Sequence, residues 1–313
     1  MSKKILVTGI MGFLGSHIGD KLLERGYTVI GLDNGITGSE KNIEHNLTNP
    51  DFIFIHGDVE EERDVMNIEC DLILNAACIA SPKFYSLYPC KTVRTCVKGA
   101  INLLELSKKN NAKILQFSTS EVVGDPEVHP QPETYNGNVS TVSYPRASYE
   151  EGKRCAETIF VAYNKQYNVD TRIARLYNCY GPRLAIGDGR VVSNFVVSAI
   201  KNEPLTVFGD GRQTRCLTNY KDTIEGILRL LDVDYHLPVN IGSTDEKSVL
   251  EIATIIRDMI NPSLDIVFKE LPLSDPRLRK PDVTLAKKLI DWNPTVGLET
   301  GLEEVISYFR SII

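Results

Sequence analysis

A doubly wound α/β fold, with a parallel sheet carrying helices on both faces and a smaller C-terminal α/β lobe, is predicted by three features of the 313-residue chain. The first is an opening strand, glycine turn, helix and strand that ends on an acid. The second is the continued alternation of short β-branched runs with helical periods as far as Arg175. The third is a change of texture near Asn178, where Gly181-Pro182, Gly187-Asp188-Gly189 and Gly209-Asp210-Gly211 begin to interrupt shorter periodic segments. Such alternation gives parallel strands joined by right-handed crossovers, and it gathers ligand-binding loops at the carboxyl ends of the strands.

Taken in order, Lys4–Thr8 is a β-branched run that stops at glycines, Leu14–Glu24 has helical periodicity, and Thr28–Asp33 is again a strand. Strands are expected at Phe52–His56, Asp71–Asn75, Ile114–Ser118 and Thr171–Arg175, with helices near Lys91–Lys109 and Tyr149–Gln166. In the second lobe, Ser248–Met259 reads as a helix with Ser248 and Glu251 at capping-box spacing and Asn261-Pro262 as its stop. Thr300–Phe309 reads as a closing helix, with Thr300 and Glu303 in the same capping roles. The expected division is residues 1–177 for the first domain and 178–313 mainly for the second lobe, with segments returning to the first.

Composition narrows the function classes. With 42% hydrophobic and 24% charged residues and a mean hydropathy of −0.14, the chain is neither disordered nor collagen-like. The balance 35 − 41 = −6 offers no electrostatic footprint for nucleic acid or anionic lipid. No run of about 18 apolar residues exists to span a membrane, and the N-terminus lacks a signal-peptide core, so a cytoplasmic location is expected. The seven cysteines include no C-x-x-C pair. This argues against a metal or disulfide framework and leaves most of them expected as small buried hydrophobes in a reducing compartment.

The chemistry-bearing residues begin with Gly9, Gly12 and Gly15, which follow the first strand at three-residue spacing, with Phe13 and Leu14 opening the helix. This pattern provides a tight turn, close backbone approach to a pyrophosphate, and a helix N-terminus that favours an anion. Asp33, at the end of the second strand, is placed to accept hydrogen bonds from a ribose diol and to repel a 2′-phosphate, favouring NAD over NADP. Asp58-Val59 and Ala76-Ala77 follow later strands and are expected to line the adenosine end of the same crevice. Tyr149 and Lys153 stand four apart on one helical face, where an ammonium is expected to ease ionisation of the phenol. Ser118-Thr119-Ser120-Glu121 ends a strand and brings hydroxyls to the same sheet edge, where one can hold a substrate oxygen.

With these residues in view, the chain resembles the extended short-chain dehydrogenase/reductases that act on nucleotide sugars, and among them the UDP-glucuronic acid decarboxylases, from end to end. The stretches that carry the resemblance are DNGITG (33–38), STSEVVGDPEVHPQPE (118–133), SYEEGKRCAET (148–158), NCYGPR (178–183), DGRVVSNF (188–195), EPLTVFGDGRQTR (203–215) and, most discriminating, RKPDV (279–283). Val123, Cys96 and Cys179 depart from the residues usual in that family, and the loop Asn138–Tyr144 is about one residue longer.

The resemblance implies a Rossmann-like domain with NAD as cofactor, Asn34, Thr37, Gly38, Thr95 and Arg190 as further cofactor contacts, and no metal. It implies Thr119, Glu121, Tyr149, Lys153 and Arg279 as catalytic residues, with Arg279 at the carboxylate end of the sugar and Glu121 managing the proton at C5 or a bound water. Read alone, Arg279 is one of several solvated basic residues. Ser81, Arg94 and Ser120 are implied on the sugar side. Asn178, Val192, Asn194, Phe195, Thr206, Phe208, Gln213 and Arg215 are implied around the UDP cleft, with Phe208 equally readable as core. A homodimer packing the two long helices of the first domain is also implied.

Several reactions share this scaffold. Oxidation at C4 of a glucuronate makes the C6 carboxylate a β-keto acid, so CO2 leaves and the electrons are held as an enolate until C5 is protonated. The expected conversion is UDP-glucuronate to UDP-xylose through a 4-keto sugar with NAD regenerated. A 4,6-dehydratase lacks its Thr-Asp-Glu acid pair here, since the chain has Thr119-Ser120-Glu121, and a 4-epimerase leaves the charge of Glu121 unexplained. Both stay open at this point, as does an NAD-binding regulatory protein on the same fold, against which the intact Thr119, Tyr149 and Lys153 argue.

Overall fold

The computed structural model describes residues 2–271 and 276–313. The six leading strands are β1 (Lys4–Thr8), β2 (Thr28–Asp33), β3 (Phe52–His56), β4 (Leu72–Asn75), β5 (Lys113–Thr119) and β6 (Thr171–Leu176). Short strands follow at β7 (Cys179–Tyr180), β8 (Leu205–Phe208), β9 (Thr214–Cys216) and β10 (Thr218–Asn219), then β11 (Pro238–Ile241), β12 (Glu246–Ser248) and β13 (Ile266–Lys269). The main sheet is parallel in the order β11-β6-β5-β4-β1-β2-β3. The winding direction reverses on either side of β1, which opens a crevice at its carboxyl end between β2 and β4. Leu6, Val7, Ile73, Ile114 and Ile173 are fully buried, as expected of strands covered on both faces.

Helix α1 (Phe13–Glu24) follows the glycine turn, and α2 (Glu62–Val65) and α3 (Pro82–Leu87) are short. The helix expected at Lys91–Lys109 is composite. It runs through α4 (Pro89–Arg94), one π-helical turn at Thr95–Gly99, and α5 (Ala100–Asn110). Helix α6 (Ala147–Tyr167) begins two residues before Tyr149. The second half adds α7 (Val191–Ile200), α8 (Tyr220–Leu231), α9 (Val249–Ile260), α10 (Thr284–Ile290) and α11 (Leu298–Ile312).

Ser248 forms the expected capping box, accepting from the Glu251 N–H at 3.1 Å while Glu251 accepts from the Ser248 N–H at 2.7 Å. The second expected box does not form. Leu298 is buried in the second-lobe core and draws α11 in two residues early, so Gly297 is the cap and Thr300 lies inside the first turn.

One buried cluster lies between the sheet and α1, α8 and α10, and a second lies on the opposite face against α5 and α6. A third, built from α7, α9 and α11, forms the core of the smaller lobe. Val239, Ile241, Ala286 and Trp292 belong to the first of these, so β11 and α10 return to the main sheet although they lie late in the chain. The cysteines correct an expectation. Cys70, Cys96 and Cys216 are buried, but Cys90 and Cys155 are exposed on α4 and α6. No helix among the described residues is long and apolar enough to cross a membrane.

Candidate functional site

The turn after β1 is set by close approaches. Gly9 has φ +70°, and a Cβ there would lie 2.9 Å from the Ala76 carbonyl. A Cβ on Gly15 would lie 2.0 Å from the Gly9 carbonyl oxygen, so α1 packs against the turn only because Gly15 has no side chain. Gly12 precedes α1 without a side-chain cap, which leaves the first-turn N–H groups and the helix dipole as an anion site. Phe13 and Leu14 contribute main chain there, since their side chains pack away. Phe13 meets the rings of His17 and Tyr220, and Leu14 joins the first core cluster.

Asp33 is 9% exposed. One carboxylate oxygen accepts from the Met11 N–H and the other from the Gly35 N–H, both at 2.9 Å. Burial lifts its pKa above the ordinary carboxylate value against the pull of these amides. Each oxygen keeps lone-pair capacity for a ribose hydroxyl.

One cleft joins Gly9, Gly12, Asp33, Asn34, Thr37, Gly38, Val59, Ala76, Ala77 and Thr95 of the expected set, and adds Ile36, Cys78, Ile79 and Lys91. Asp58 stands beside it, accepting from Asn34 at 2.9 Å and from Lys91 at 2.5 Å. The glycine cradle, the uncapped helix start and the acid at the end of β2 fit NAD.

At the edge of β5, the Thr119 hydroxyl accepts from the Glu121 N–H at 3.2 Å and lies near enough to the Tyr149 hydroxyl to favour its ionised form. Tyr149 is 7% exposed and stacks on Tyr85 with ring centroids 5.2 Å apart. Lys153, one turn later and 3% exposed, donates to the Phe117 carbonyl at 2.7 Å. Burial first, and then the nearby Cys78, push the phenol well above its ordinary pKa.

Arg279 is not a solvated basic residue but is 2% exposed. Its guanidinium donates to Ser120 Oγ at 3.0 Å, to Glu121 Oε1 at 2.9 Å and to the Gly124 carbonyl at 3.0 Å. Arg146 pairs with the other oxygen of Glu121 and lies 3.5 Å from Glu150. Burial alone would raise the pKa of Glu121, but Arg146 and Arg279 overcome it and hold the carboxyl down at about 2. Arg215 contributes to the same field, while its own Nη1 donates to the Thr214 carbonyl at 2.8 Å.

Other expected residues are more dispersed. Ser81 donates to the Asp188 carbonyl at 2.6 Å, and Arg190 donates to the Ala80 carbonyl at 3.2 Å, which ties the loop after β4 to the start of α7. Arg94, expected on the sugar side, is paired with Glu60 at 3.0 Å on the cofactor side, where Thr95 and Lys91 also bind Glu60. Val192 and Phe195 are buried in the second-lobe core, which leaves only their main chain for a ligand, whereas Asn194 on the same helix is half-buried. Asn178 holds the link to β7 and accepts from the Thr218 N–H. Thr206 is half-buried, Gln213 donates to the Phe208 carbonyl, and Phe208, 40% exposed, is not core.

Sequence reasoning missed Arg146, Tyr85, Lys91 and the Cys78–Cys96 contact. For Arg146 a signal existed, since it stands four residues before Glu150 and three before Tyr149.

A parallel sheet with a glycine turn and an acid at its switch point, and Thr119, Tyr149 and Lys153 at the adjoining edge, defines a dinucleotide-dependent enzyme. The chain belongs to the NAD dependent epimerase/dehydratase family, whose sequence profile matches residues 5–242. It is 47% identical over 307 residues to UDP-glucuronic acid decarboxylase 2 of Arabidopsis thaliana, covering 98% of this chain and 68% of that protein. Its fold is similar to that of the UDP-glucose 4-epimerase of Thermotoga maritima solved with UDP-glucose (TM-score 0.91, 29% identity, 99% of both chains). It is also similar to the UDP-glucuronic acid 4-epimerase of Bacillus cereus in complex with UDP-glucuronic acid and NAD (TM-score 0.86, 28% identity, 99% and 100% of the two chains).

Proposed function

We infer that the protein decarboxylates UDP-glucuronate to UDP-xylose through a UDP-4-keto sugar, with NAD regenerated in each turnover. The observation that carries this reading is the ionised Glu121, clamped between Arg146 and Arg279, two residues beyond Thr119. An epimerase acting on a neutral hexose leaves these buried charges without a task. The similarity over 98% of the chain to a decarboxylase supports the same reading.

NAD held by the glycine turn and Asp33 would supply a positively charged ring and a reversible acceptor for the hydrogen at C4. Tyr149 takes the proton of the C4 hydroxyl, and Thr119, near the Tyr149 hydroxyl, holds the C4 oxygen in line. Lys153 adds a second positive charge on the same helix face. The guanidinium of Arg279 orients the anionic end of the sugar, and Ser120 beside it serves the same end. Loss of CO2 leaves an enolate whose charge this basic pocket stabilises. Glu121 stays anionic at neutral pH, so it acts by holding a water that delivers the proton to C5 rather than by donating its own.

In this reading residues 1–177 hold the cofactor, and 178–313 form mainly the UDP-sugar lobe, with Asn178, Asn194, Thr206, Gln213 and Arg215 facing the nucleotide and Arg190 at its junction with the cofactor. The protein works in the cytoplasm as a homodimer through α4, α5 and α6. The exposed Tyr88 and Val93 at the start of that surface support the pairing. Incubation with UDP-glucuronate should give CO2 and UDP-xylose in equal amounts. A UDP-hexuronate product with no CO2 would replace this function with that of an epimerase.

A further inference from the structure

Two thiols that the reaction does not use meet at the wall of the cofactor cleft. Cys78, three residues beyond β4, is half-buried and lines the cleft. Cys96 is 3% exposed within the π-helical turn Thr95–Gly99. Their Sγ atoms are 3.3 Å apart. A disulfide requires an S–S distance of about 2.05 Å, so the two sulfurs stand about 1.2 Å beyond bonding distance. Cys96 is backed by α6, where a Cβ on Gly152 would touch its Cβ and Sγ at 3.0 and 3.2 Å, and Lys153 is the next residue.

The two thiols are chemically unequal. Hydrogen bonding to Cys96 and the Lys153 ammonium hold the Cys78 thiol below its ordinary pKa against the effect of burial, while Cys96 is pushed well above its own. This is the arrangement of an attacking thiolate with a resolving thiol beside it.

We propose that Cys78 and Cys96 form an oxidisable pair that closes to a disulfide when a hydroperoxide enters the NAD-free cleft, and that bound NAD shields it. The Cys78 thiolate attacks one peroxide oxygen, the O–O bond breaks and hydroxide leaves, giving a sulfenic acid. Cys96 then gives up its proton and attacks the Cys78 sulfur. The S–O bond breaks, water leaves, and the two thiols have lost two electrons to one peroxide. The shielding rests on the assignment of the cleft to NAD, whereas the pair rests on the sulfur geometry.

The test treats the full-length chain with hydrogen peroxide, with and without added NAD, followed by alkylation under denaturing conditions and peptide mass spectrometry. The expected result is a Cys78–Cys96 linked peptide that dithiothreitol reverses. With NAD at about 100 times its Kd the cofactor-free fraction falls about 100-fold, and the linking rate should fall with it. Cys96→Ser, or Cys96→Ala, should abolish the link while keeping NAD binding and turnover.

Oxidation of the exposed Cys90 or Cys155 while Cys78 and Cys96 both remain alkylatable would overturn the pair. An unchanged linking rate in protein shown by titration to bind NAD would overturn the shielding. Linking in protein that fails to bind NAD upholds the pair and rejects the cofactor assignment instead.

Discussion

Arg279→Met keeps an unbranched stem of similar reach and removes the guanidinium. The change deletes hydrogen bonds to Ser120, Glu121 and the Gly124 carbonyl, and it leaves Glu121 paired with Arg146 and in the field of Arg215. Breaking a buried pair by removing one partner costs about 3–5 kcal/mol. Because Arg146 remains, the lower end applies, about 3 kcal/mol. An unfolding entropy of about 2.1 cal/mol/K per residue over 313 residues then gives a fall in Tm of about 5 °C.

The same change lets the Glu121 carboxyl rise from about 2 toward its reference of 4.5. A carboxyl depressed on folding contributes stability that is complete above about 4.5 and is lost as the pH falls toward about 2. The gap between wild type and Arg279→Met should therefore narrow on acidification from pH 5 to pH 3. Calorimetry across that range measures it, and a cycle with Glu121→Gln should show a coupling of about 1–3 kcal/mol. An unchanged Tm, or strictly additive effects of the two substitutions, would refute the clamp and with it the role given to the pair.

Three further outcomes follow from the geometry. Tyr149→Phe should abolish oxidation at C4 while NAD titration stays close to wild type, because only the hydroxyl is lost and the ring that stacks on Tyr85 is kept; nicotinamide absorbance on adding substrate reads this out. Asp33→Ala should weaken NAD about tenfold or more and relax discrimination against NADP, since a charge-assisted ribose contact is worth about 1.5–3 kcal/mol; parallel titrations check both. His17 is held down at about 4 by burial first and the charge of Arg183 second, so the unfolded chain binds its proton near 6.5 and the folded chain much later. Stability should be complete above about 6.5 and fall by about 3 kcal/mol as the pH drops to about 4, and His17→Gln should flatten that part of the urea-unfolding profile.

The first domain was largely legible because its signals are local. Gly9, Gly12 and Gly15 sit between two short apolar runs, and the steric reason for each belongs to one turn. Tyr149 and Lys153 likewise share a face through helix periodicity alone. What stayed hidden depends on long-range contacts. Nothing near Arg279 in sequence shows that it inserts beside Ser120 and Glu121, some 158 positions earlier. Arg94 is drawn to Glu60 by a partner that spacing does not reveal. The π-helical turn that places Cys96 against Cys78 looks like uninterrupted helix in the sequence. The early start of α11 is decided by burial of Leu298, which outweighs a good capping pattern at Thr300.

The most direct measurement of the central claim is turnover of UDP-glucuronate carrying deuterium at C4, in the presence of excess unlabelled NADH, with the product analysed by NMR. If one bound NAD oxidises and then reduces the same sugar while Tyr149, Arg279 and Glu121 manage the protons and the carboxylate, the deuterium returns to C4 of UDP-xylose and one CO2 is released per product. Loss of the deuterium to the NADH pool, or a labelled product that keeps its carboxylate, would contradict the account.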